Sequence, residues 1–437
     1  MATSTVLLLV AIAIFVCIAL NYKLKVNIGT TAIIFAWIIG YFCVGMKVND
    51  IVKGWPTKIA FQLIAITMFF SFPQQNGTLQ KVADNFVYTF RKHTRLIPWV
   101  IFAAGFVIGG LGAPGATGNI IMGVIGYAIG EQLGIHPLIT AFMACTGAAA
   151  GSELPWSAQG IIAYGVMSEL YPDQATSYAW SLWLAYLVMN IVGGLILCAI
   201  FGGFKKRAEL DYPKPEPLSR EQKNTLLIIA CVVGISLLFP IIKNFWPKFK
   251  FASKMSGFFD LMMLAVLGTF IFTLLKYGDQ KTAITKGVPW NTIWMLSGMA
   301  MLMNVADAAG ATDFIAGALS GNLNPGVVVA VLGVLAGVLS FFSGGMSVVF
   351  PMLSALVPAI ASATGINPGV MFAAICCGAR LTAISPFSTG GALIVGANPN
   401  PKHERVLFNG CLAIAFASLA LVAIFAFLHL YDLMVFA

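Results

Sequence analysis

Charged residues are scarce in this chain. Only 9% of its 437 residues are Asp, Glu, Lys or Arg, while 59% are hydrophobic. A soluble globular domain carries roughly a quarter charged residues, so this composition excludes an ordinary soluble protein and predicts an integral, multi-pass membrane protein. The apolar N-terminus has no basic segment before it and no small-residue cleavage site after it, and we interpret it as the first membrane span rather than a signal peptide.

Recognisable catalytic and metal-binding patterns are also missing. The sequence contains no H-E-x-x-H, no G-x-S-x-G and no C-x-x-C spacing, which argues against a zinc protease, an α/β-hydrolase or a thiol redox site. The four histidines have no ligand spacing, and the eight cysteines lie mostly in apolar runs, where they are typical packing residues. We therefore predict a protein that is not an enzyme and has no cofactor.

Two segments of the chain repeat each other at one fixed shift of 231 residues. The shift relates Pro137 to Pro368, Cys145 to Cys376, Gly147 to Gly378, Pro155 to Pro386, Ser157 to Ser388 and Gly160 to Gly391. In each copy an apolar helix enters a break with Pro and Ser and then resumes. Such a break is tolerated in lipid only where its backbone is buried or lines a cavity. Paired breaks in two halves of a membrane protein indicate the substrate site of a secondary transporter.

The apolar runs follow the same order in both halves of the chain. They predict an all-α polytopic membrane protein with two inverted repeats, each with five spans, one of them broken, plus one re-entrant hairpin. An odd number of crossings per repeat turns the second repeat upside down. Repeat 1 is predicted over 1–204, with scaffold spans in 1–95, a hairpin over 96–130, a broken span over 136–170 and a last span over 177–204. A linker over 205–224 precedes repeat 2 over 225–437, with scaffold spans in 225–304, a hairpin over 326–362, a broken span over 367–397 and a last span over 405–431.

The linker between the repeats sets the predicted orientation. It is polar and rich in Lys and Arg, so the positive-inside rule places it in the cytoplasm. Both termini then lie outside, the first hairpin enters from the cytoplasm and the second enters from the exterior. Basic cytoplasmic loops account for the net charge of +9. The positive charge is therefore no indication of nucleic-acid binding, and we predict no nucleic-acid partner. The predicted location is the bacterial inner (cytoplasmic) membrane.

Hydroxyl, amide and glycine residues collect at the two hairpin tips and the two breaks. Half-helix starts hold anions through their N–H groups, and hydroxyls donate to carboxylates or accept from sodium. The predicted substrate contacts are Thr117, Gly118, Asn119, Ser157, Ser347, Arg380, Ser388 and Thr389. The predicted ion-binding residues are Ala116, Asn119, Gly151, Ser152, Ser343, Gly345 and Ser385. Alternatively, such small residues only allow helices to pack closely.

Two charged residues fall inside predicted membrane segments. Arg380 lies about one turn before the second break and Glu153 lies within the first. Because intramembrane charges are usually functional, Arg380 is a candidate two-pronged clamp for a substrate carboxylate, with Glu153 as a proton or cation partner. The alternative is a structural ion pair between Arg380 and Glu153. The sequence leaves both interpretations open.

The order of spans, hairpin, broken helix and span, repeated and inverted, resembles the ion transporter superfamily and, within it, the divalent anion/sodium symporters. The segment from Gly105 to Gly165, with Gly-Leu-Gly-Ala-Pro-Gly-Ala-Thr-Gly-Asn at 110–119, is most similar to malonate/dicarboxylate carriers of the MatC type. The resemblance implies a homodimeric elevator transporter, with a scaffold of the first three spans of each repeat and a mobile transport domain of hairpins and broken helices. The Ser-Asn-Thr triplet of the symporters is absent from both tips. The positive charge of Arg380 can take over part of the electrostatic role of a coupling cation.

The predicted function is secondary active transport of a small dicarboxylate, malonate first, with sodium as the coupling ion. A proton-coupled dicarboxylate carrier and an arsenite or cation/proton antiporter on the same scaffold are the alternatives. An antiporter usually has carboxylates at the membrane midplane, where only Glu153 qualifies. A passive channel differs by lacking saturable uptake that responds to an ion gradient.

Overall fold

The computed structural model describes residues 2–245, 250–311, 314, 324–341 and 344–436, and this part of the chain is mainly helical and contains no strands. The N-terminal helices are α1 (Thr3–Leu24), α2 (Ile28–Ile39), α3 (Val48–Val52), α4 (Thr57–Gln75), α5 (Thr78–Phe90), α6 (Ile97–Gly110), α7 (Gly115–Gln132), α8 (Pro137–Ser152), α9 (Gly160–Leu170) and α10 (Ala175–Phe201). They are followed by α11 (Arg220–Phe245), α12 (Lys250–Phe258), α13 (Leu261–Leu274), α14 (Gln280–Thr282), α15 (Trp290–Ala308), α16 (Pro325–Ser340), α17 (Phe350–Ser354), α18 (Val357–Thr364), α19 (Pro368–Leu381), α20 (Thr389–Gly396) and α21 (Glu404–Phe427). Short π-helical turns cover Gly40–Val44, Ala283–Gly287 and Gly345–Val349.

Six helical segments of the described chain are long and apolar enough to cross a membrane. They are Thr3–Asn21, Val48–Gln75, Ala175–Phe201, Arg220–Phe239, Pro368–Gly396 and Pro401–Phe427. Crossing a hydrocarbon core takes about 20 helical residues, and α6, α8, α9 and α16 are shorter apolar helices. An all-helical, multi-pass membrane protein is therefore confirmed. The ten crossings and the inversion of the second repeat stay predictions.

The second hairpin has a divided second arm, which the sequence analysis did not predict. The segment Gly345–Ser354, which begins with the π-helical turn, meets Val357–Thr364 at an angle of 41°. Pro358 is the second residue of α18, and a proline has no N–H to donate to the carbonyl four residues earlier, here that of Ser354. The chain therefore bends at 355–356, and the second arm of the predicted hairpin over 326–362 contains two short helices.

The chain forms two compact units. The first unit consists of Met1–Ala60, Ile162–Ile200 and Trp290–Ala437, and the second of Phe61–Ile161 and Phe201–Pro289. The predicted hairpin over 96–130 lies in the second unit and the hairpin over 326–362 lies in the first. The predicted grouping of both hairpins in one mobile domain stays a prediction.

Glycines let α6 and α8 pack closely in the second unit. A Cβ on Gly147 would overlap the carbonyl oxygen of Phe102, and one on Gly109 would overlap that of Ala148. Close approach of this kind is typical of helix pairs in membranes, where small residues form the contact. The contact holds the first arm of the hairpin directly against the first half of the broken span.

The same arrangement recurs in the first unit between α16 and α19. A Cβ on Gly378 would overlap the carbonyl oxygen of Gly333, and one on Gly337 would lie tight against that of Gly378. Gly378 is the residue that the 231-residue shift relates to Gly147. In both units, therefore, the first arm of a hairpin and the first half of a broken span form one glycine-packed pair.

The linker packs against α5, an amphipathic helix that the sequence analysis did not predict. The buried face of α5 includes Leu79, Ala83 and Val87. Tyr212 of the linker donates a hydrogen bond to Asp84 at 2.8 Å, and Lys81 pairs with Glu216 at 3.3 Å. Burial and the bond to Asp84 raise the pKa of Tyr212 well above its ordinary value. The polar linker is thus held on a helix surface rather than extended.

Candidate functional site

The polar tips and breaks form one candidate half-site in each unit. The N-terminal half-site comprises residues 109–119 and 151–160 of the second unit, and the C-terminal half-site comprises 340–347 and 380–391 of the first. In the C-terminal half-site, residues 342–343 are outside the described chain, so the predicted ion ligand Ser343 is among those not described.

The helix that leaves the first hairpin tip begins without a side-chain cap. Helix α7 starts at Gly115 directly after Pro114, whose side chain makes no capping hydrogen bond. Helices α1, α5, α6 and α21 also begin without a side-chain cap, whereas α2, α13, α16 and α19 each follow an Asn or Asp whose side chain accepts from the helix. Uncapped N–H groups at a helix start can bind an anion. Thr117, Gly118 and Asn119 lie in the first turns of this helix.

Gln74 is a residue of this tip that the sequence analysis missed. Its side-chain amide donates to the hydroxyl of Thr117 at 3.3 Å, and it is exposed at the end of α4. Ala116 is exposed at the same tip, whereas Gly118 and Asn119 are buried. A signal in the sequence would have identified Gln74: directly after an apolar span, Pro73 is followed by the three amide residues Gln74, Gln75 and Asn76.

The first break is fastened to the end of α6. Ser157 is fully buried and its hydroxyl donates to the carbonyl oxygen of Gly109 at 2.5 Å. The indole N–H of Trp156 donates to the carbonyl oxygen of Gly110 at 3.0 Å. These bonds satisfy carbonyls at a helix C-terminus. In this conformation the Ser157 proton is directed to Gly109, so a ligand would meet the oxygen lone pair of Ser157.

The end of α8 places three of the candidate residues beside one another. Gly151 lies against the carbonyl of Phe106, with no room for a Cβ. Ser152 is fully buried and donates to the carbonyl of Ala149 at 3.0 Å. Glu153, the next residue, is only 1% exposed. The carboxyl group of Glu153 is therefore buried at the break, in the same short stretch of chain as the Ser152 hydroxyl and the Ala149 carbonyl.

The second hairpin tip continues as a π-helical turn. Gly345 starts this turn without a side-chain cap and lies close to the carbonyl of Ala379. The Ser340 hydroxyl donates to the same carbonyl at 2.6 Å, and Ser347 is half-buried within the turn. π-Helical turns are rare and occur often at functional sites.

Ser388 caps the helix that resumes after the second break. Its hydroxyl oxygen accepts from the N–H of Gly391 at 3.1 Å and the hydroxyl lies 2.9 Å from the carbonyl of Ser385. Thr389 is the first residue of α20. Ser385 is fully buried, and its side-chain oxygen accepts from the N–H of Phe387 at 3.3 Å. The three hydroxyl residues predicted at this break are thus within one short stretch of chain.

The two breaks follow the same local backbone course. A Cβ on Gly160 would overlap the carbonyl oxygen of Leu154, and a Cβ on Gly391 would overlap that of Ser385. The shift of 231 residues relates both members of these pairs. Each second half-helix therefore starts over the end of the first, which is why glycine is required there.

Arg380 contacts α10 within the first unit. It lies in the last turn of α19 and is partly exposed, and its guanidinium carbon is 5.9 Å from the centroid of the Tyr186 ring. This distance fits a cation–π contact. Asn190, one turn further along α10, is fully buried and donates to the Tyr186 carbonyl at 2.8 Å. The sequence analysis missed Tyr186 and Asn190, although an Asn within an apolar span is a signal for them. The pairing of Arg380 with Glu153 stays a prediction.

Substituting Ser388 will test the cap of α20. Ser388→Ala is expected to lower the free energy of unfolding by about 1 kcal/mol, because an N-cap hydroxyl is lost. Ser388→Thr keeps a capping oxygen and should recover most of this loss, and Thr389→Ala should cost less than Ser388→Ala. Thermal unfolding of the purified protein measures all three. If Ser388→Ala and Ser388→Thr lower the free energy of unfolding by the same amount, the capping role is contradicted.

The N-terminal part of the chain matches a known family. Residues 2–152 match the family model described as the dicarboxylate carrier protein MatC N-terminus. No curated protein matches the chain. The chain therefore resembles dicarboxylate carriers of the MatC type, as its residues predicted, and the match supports a transporter rather than an enzyme. The matched segment includes the first hairpin tip, Gly151 and Ser152.

Proposed function

We propose that the protein is a secondary active transporter of small dicarboxylates, with malonate as the preferred substrate and sodium as the coupling ion. The observation that carries the proposal is the uncapped start of α7 within the segment that matches the dicarboxylate carrier family. An uncapped helix start can offer its N–H groups to one carboxylate, and a guanidinium such as that of Arg380 can bind a carboxylate through two hydrogen bonds. Malonate has one carbon between its carboxyl groups and is shorter than succinate, so it is the proposed preference of the two.

Sodium coupling is proposed from the kind of ligand that the tips and breaks supply. Sodium binds hydroxyl, amide and carbonyl oxygens, and unwound carbonyls at half-helix ends form sodium sites in secondary transporters. Ala116, Asn119, Gly151 and Ser152 offer such oxygens in one half-site, and Gly345 and Ser385 offer them in the other. Proton coupling is the second candidate, favoured by the buried carboxyl group of Glu153 at the first break.

The transport cycle is proposed to be of the elevator type. The two hairpins and broken spans would move against the remaining spans, and a homodimer would hold those spans still. Two inverted repeats can exchange conformations, so that one site opens to either side of the membrane. The proposed location is the bacterial inner membrane, with both termini outside.

A ligand screen tests the substrate and the ion together. Purified protein is heated with C3 to C6 mono- and dicarboxylates, in sodium, potassium or choline buffer. Malonate in sodium should give the largest rise in melting temperature, since a ligand at a hundred times its Kd stabilises by about 2.7 kcal/mol. Acetate, with a single carboxylate, is the matched control. Stabilisation by no dicarboxylate, or by monocarboxylates to the same extent, would contradict the proposed substrate class.

A further inference from the structure

The chain turns back on itself after α21. His429 has a positive φ of 53°, and the N–H of Leu430 donates to the carbonyl of Phe425 at 2.9 Å. A left-handed residue followed by a backward hydrogen bond is the usual way in which a helix ends and reverses. We call residues 428–436 the C-terminal strap.

The far end of the strap is hydrogen-bonded to α10. The Ser177 hydroxyl donates to the carbonyl of Phe436 at 2.6 Å, and the N–H of Phe436 donates to the hydroxyl of Ser181 at 2.8 Å. Ser177 and Ser181 are one helical turn apart, so both backbone groups of Phe436 are bound by one face of α10. The neighbouring Val435 lies close to Gly369 at the start of α19.

Tyr431 carries the strap into the space between α10 and α19. Its side chain is fully buried. The hydroxyl donates to the Met189 sulfur on α10 at 3.3 Å, and Cys376 and Cys377 of α19 are close enough to interact with it. A buried tyrosine usually places its hydroxyl on a partner; here the partner is on α10 and the neighbouring thiols are on α19. The ring therefore acts as a spacer between the two helices.

The spacer lies one turn from the Arg380 contact. Cys377 precedes Arg380 by three residues on α19, and Met189 follows Tyr186 by three residues on α10. The helices that Tyr431 separates are thus the two that bring the Arg380 guanidinium to the Tyr186 ring. We propose that Tyr431 is a positioning residue: it sets the separation of α10 and α19 at which Arg380 meets a substrate carboxylate. The assignment rests on the proposed function, because it takes Arg380 as a substrate contact.

The effect should be seen in binding and should depend on Arg380. Two-pronged contacts to a carboxylate require close geometry, and small displacements of a positioned group have large effects. Tyr431→Phe removes only the hydroxyl, and the Kd for malonate is expected to rise about three- to tenfold, the range for one hydrogen bond. In a background with Arg380→Lys, the same change should raise the Kd less than about twofold, because lysine cannot make the contact that Tyr431 adjusts.

A second readout needs no substrate. Cys377 is 0% exposed beneath the strap, so it should resist a thiol reagent in a variant that keeps Cys377 as its one cysteine. Tyr431→Ala, and the double variant Ser177→Ala with Ser181→Ala, should label several times faster. Tyr41→Phe, which removes the hydroxyl of an exposed tyrosine, is the matched control and should change neither the Kd nor the labelling rate.

The two readouts separate the possible failures. Equal rises in Kd for Tyr431→Phe in both Arg380 backgrounds would overturn the positioning role, as would Cys377 labelling that neither strap change accelerates. If the unaltered protein binds no dicarboxylate, the proposed function fails. The labelling rates then still show whether Tyr431 holds α19 in place.

Discussion

Replacing Arg380 with lysine is expected to weaken malonate binding by about 1.5–3 kcal/mol, the range for a charged hydrogen bond, while folding changes little. Lysine keeps the positive charge but loses the planar guanidinium, which lies near the Tyr186 ring and is proposed to bind both carboxylate oxygens. Titration calorimetry of malonate measures the loss. Arg91→Lys is the matched control, because the Arg91 guanidinium carbon also lies over a tyrosine ring, 3.7 Å from the Tyr88 centroid. Arg91 belongs to neither half-site, so its replacement should leave malonate affinity unchanged.

The alternative role of Arg380 gives a different pattern. If Arg380 and Glu153 are a buried ion pair, Arg380→Ala or Glu153→Ala alone should destabilise the substrate-free protein by about 3–5 kcal/mol, and the double variant should recover much of the loss. Recovery with malonate affinity intact would exclude the clamp. Stable single variants that no longer bind malonate would exclude the structural pair.

Gly147→Leu is expected to prevent the protein from folding. Even a Cβ at this position would overlap the carbonyl of Phe102, so α6 and α8 would have to separate along their whole contact. Overpacking costs about 1–3 kcal/mol of stability where the surrounding side chains can adjust. Two backbones in direct contact cannot adjust in this way, so the cost here should be larger. Gly378→Leu should act in the same way in the first unit. The fraction of monodisperse protein after detergent extraction, measured by size-exclusion chromatography of a fluorescent fusion, should fall to near zero.

Gly234→Leu is the matched control for these two changes. Gly234 lies within α11, and no atom is within 4 Å of the position of its missing Cβ. Leucine there should leave the monodisperse fraction unchanged. A normal elution profile for Gly147→Leu would show that the contact between α6 and α8 is not required for folding.

The breaks and tips were predictable because their causes are local. Pro155 and Pro386 interrupt helices through their own geometry, and the matches at one fixed shift of 231 residues indicated two related breaks. The sequence therefore identified the short helices α6, α8, α9 and α16, and the residues at their ends. It did not identify the bend before α18, although Pro358 at its second position is a local signal that could have been used.

Partners that are distant in sequence were not predictable in the same way. Nothing in the neighbourhood of Tyr431 specifies that its hydroxyl will reach Met189, and nothing around Arg380 specifies Tyr186. These contacts depend on how whole helices pack, and a single sequence gives no pairing between them. Gln74 is an intermediate case. Its place in a polar stretch directly after Pro73 could be recognised in the sequence, but its contact with Thr117 could not be predicted.

Accumulation of labelled malonate by proteoliposomes tests the central claim most directly. The vesicles contain purified protein and carry an inward sodium gradient, an inward proton gradient or no gradient. The account predicts saturable uptake above the equilibrium level with the sodium gradient, competed by excess unlabelled malonate and absent with acetate. Equal accumulation with the proton gradient alone would assign coupling to protons and make Glu153 the expected carrier. If malonate only equilibrates across the membrane and neither ion gradient raises it above the equilibrium level, secondary active transport is contradicted.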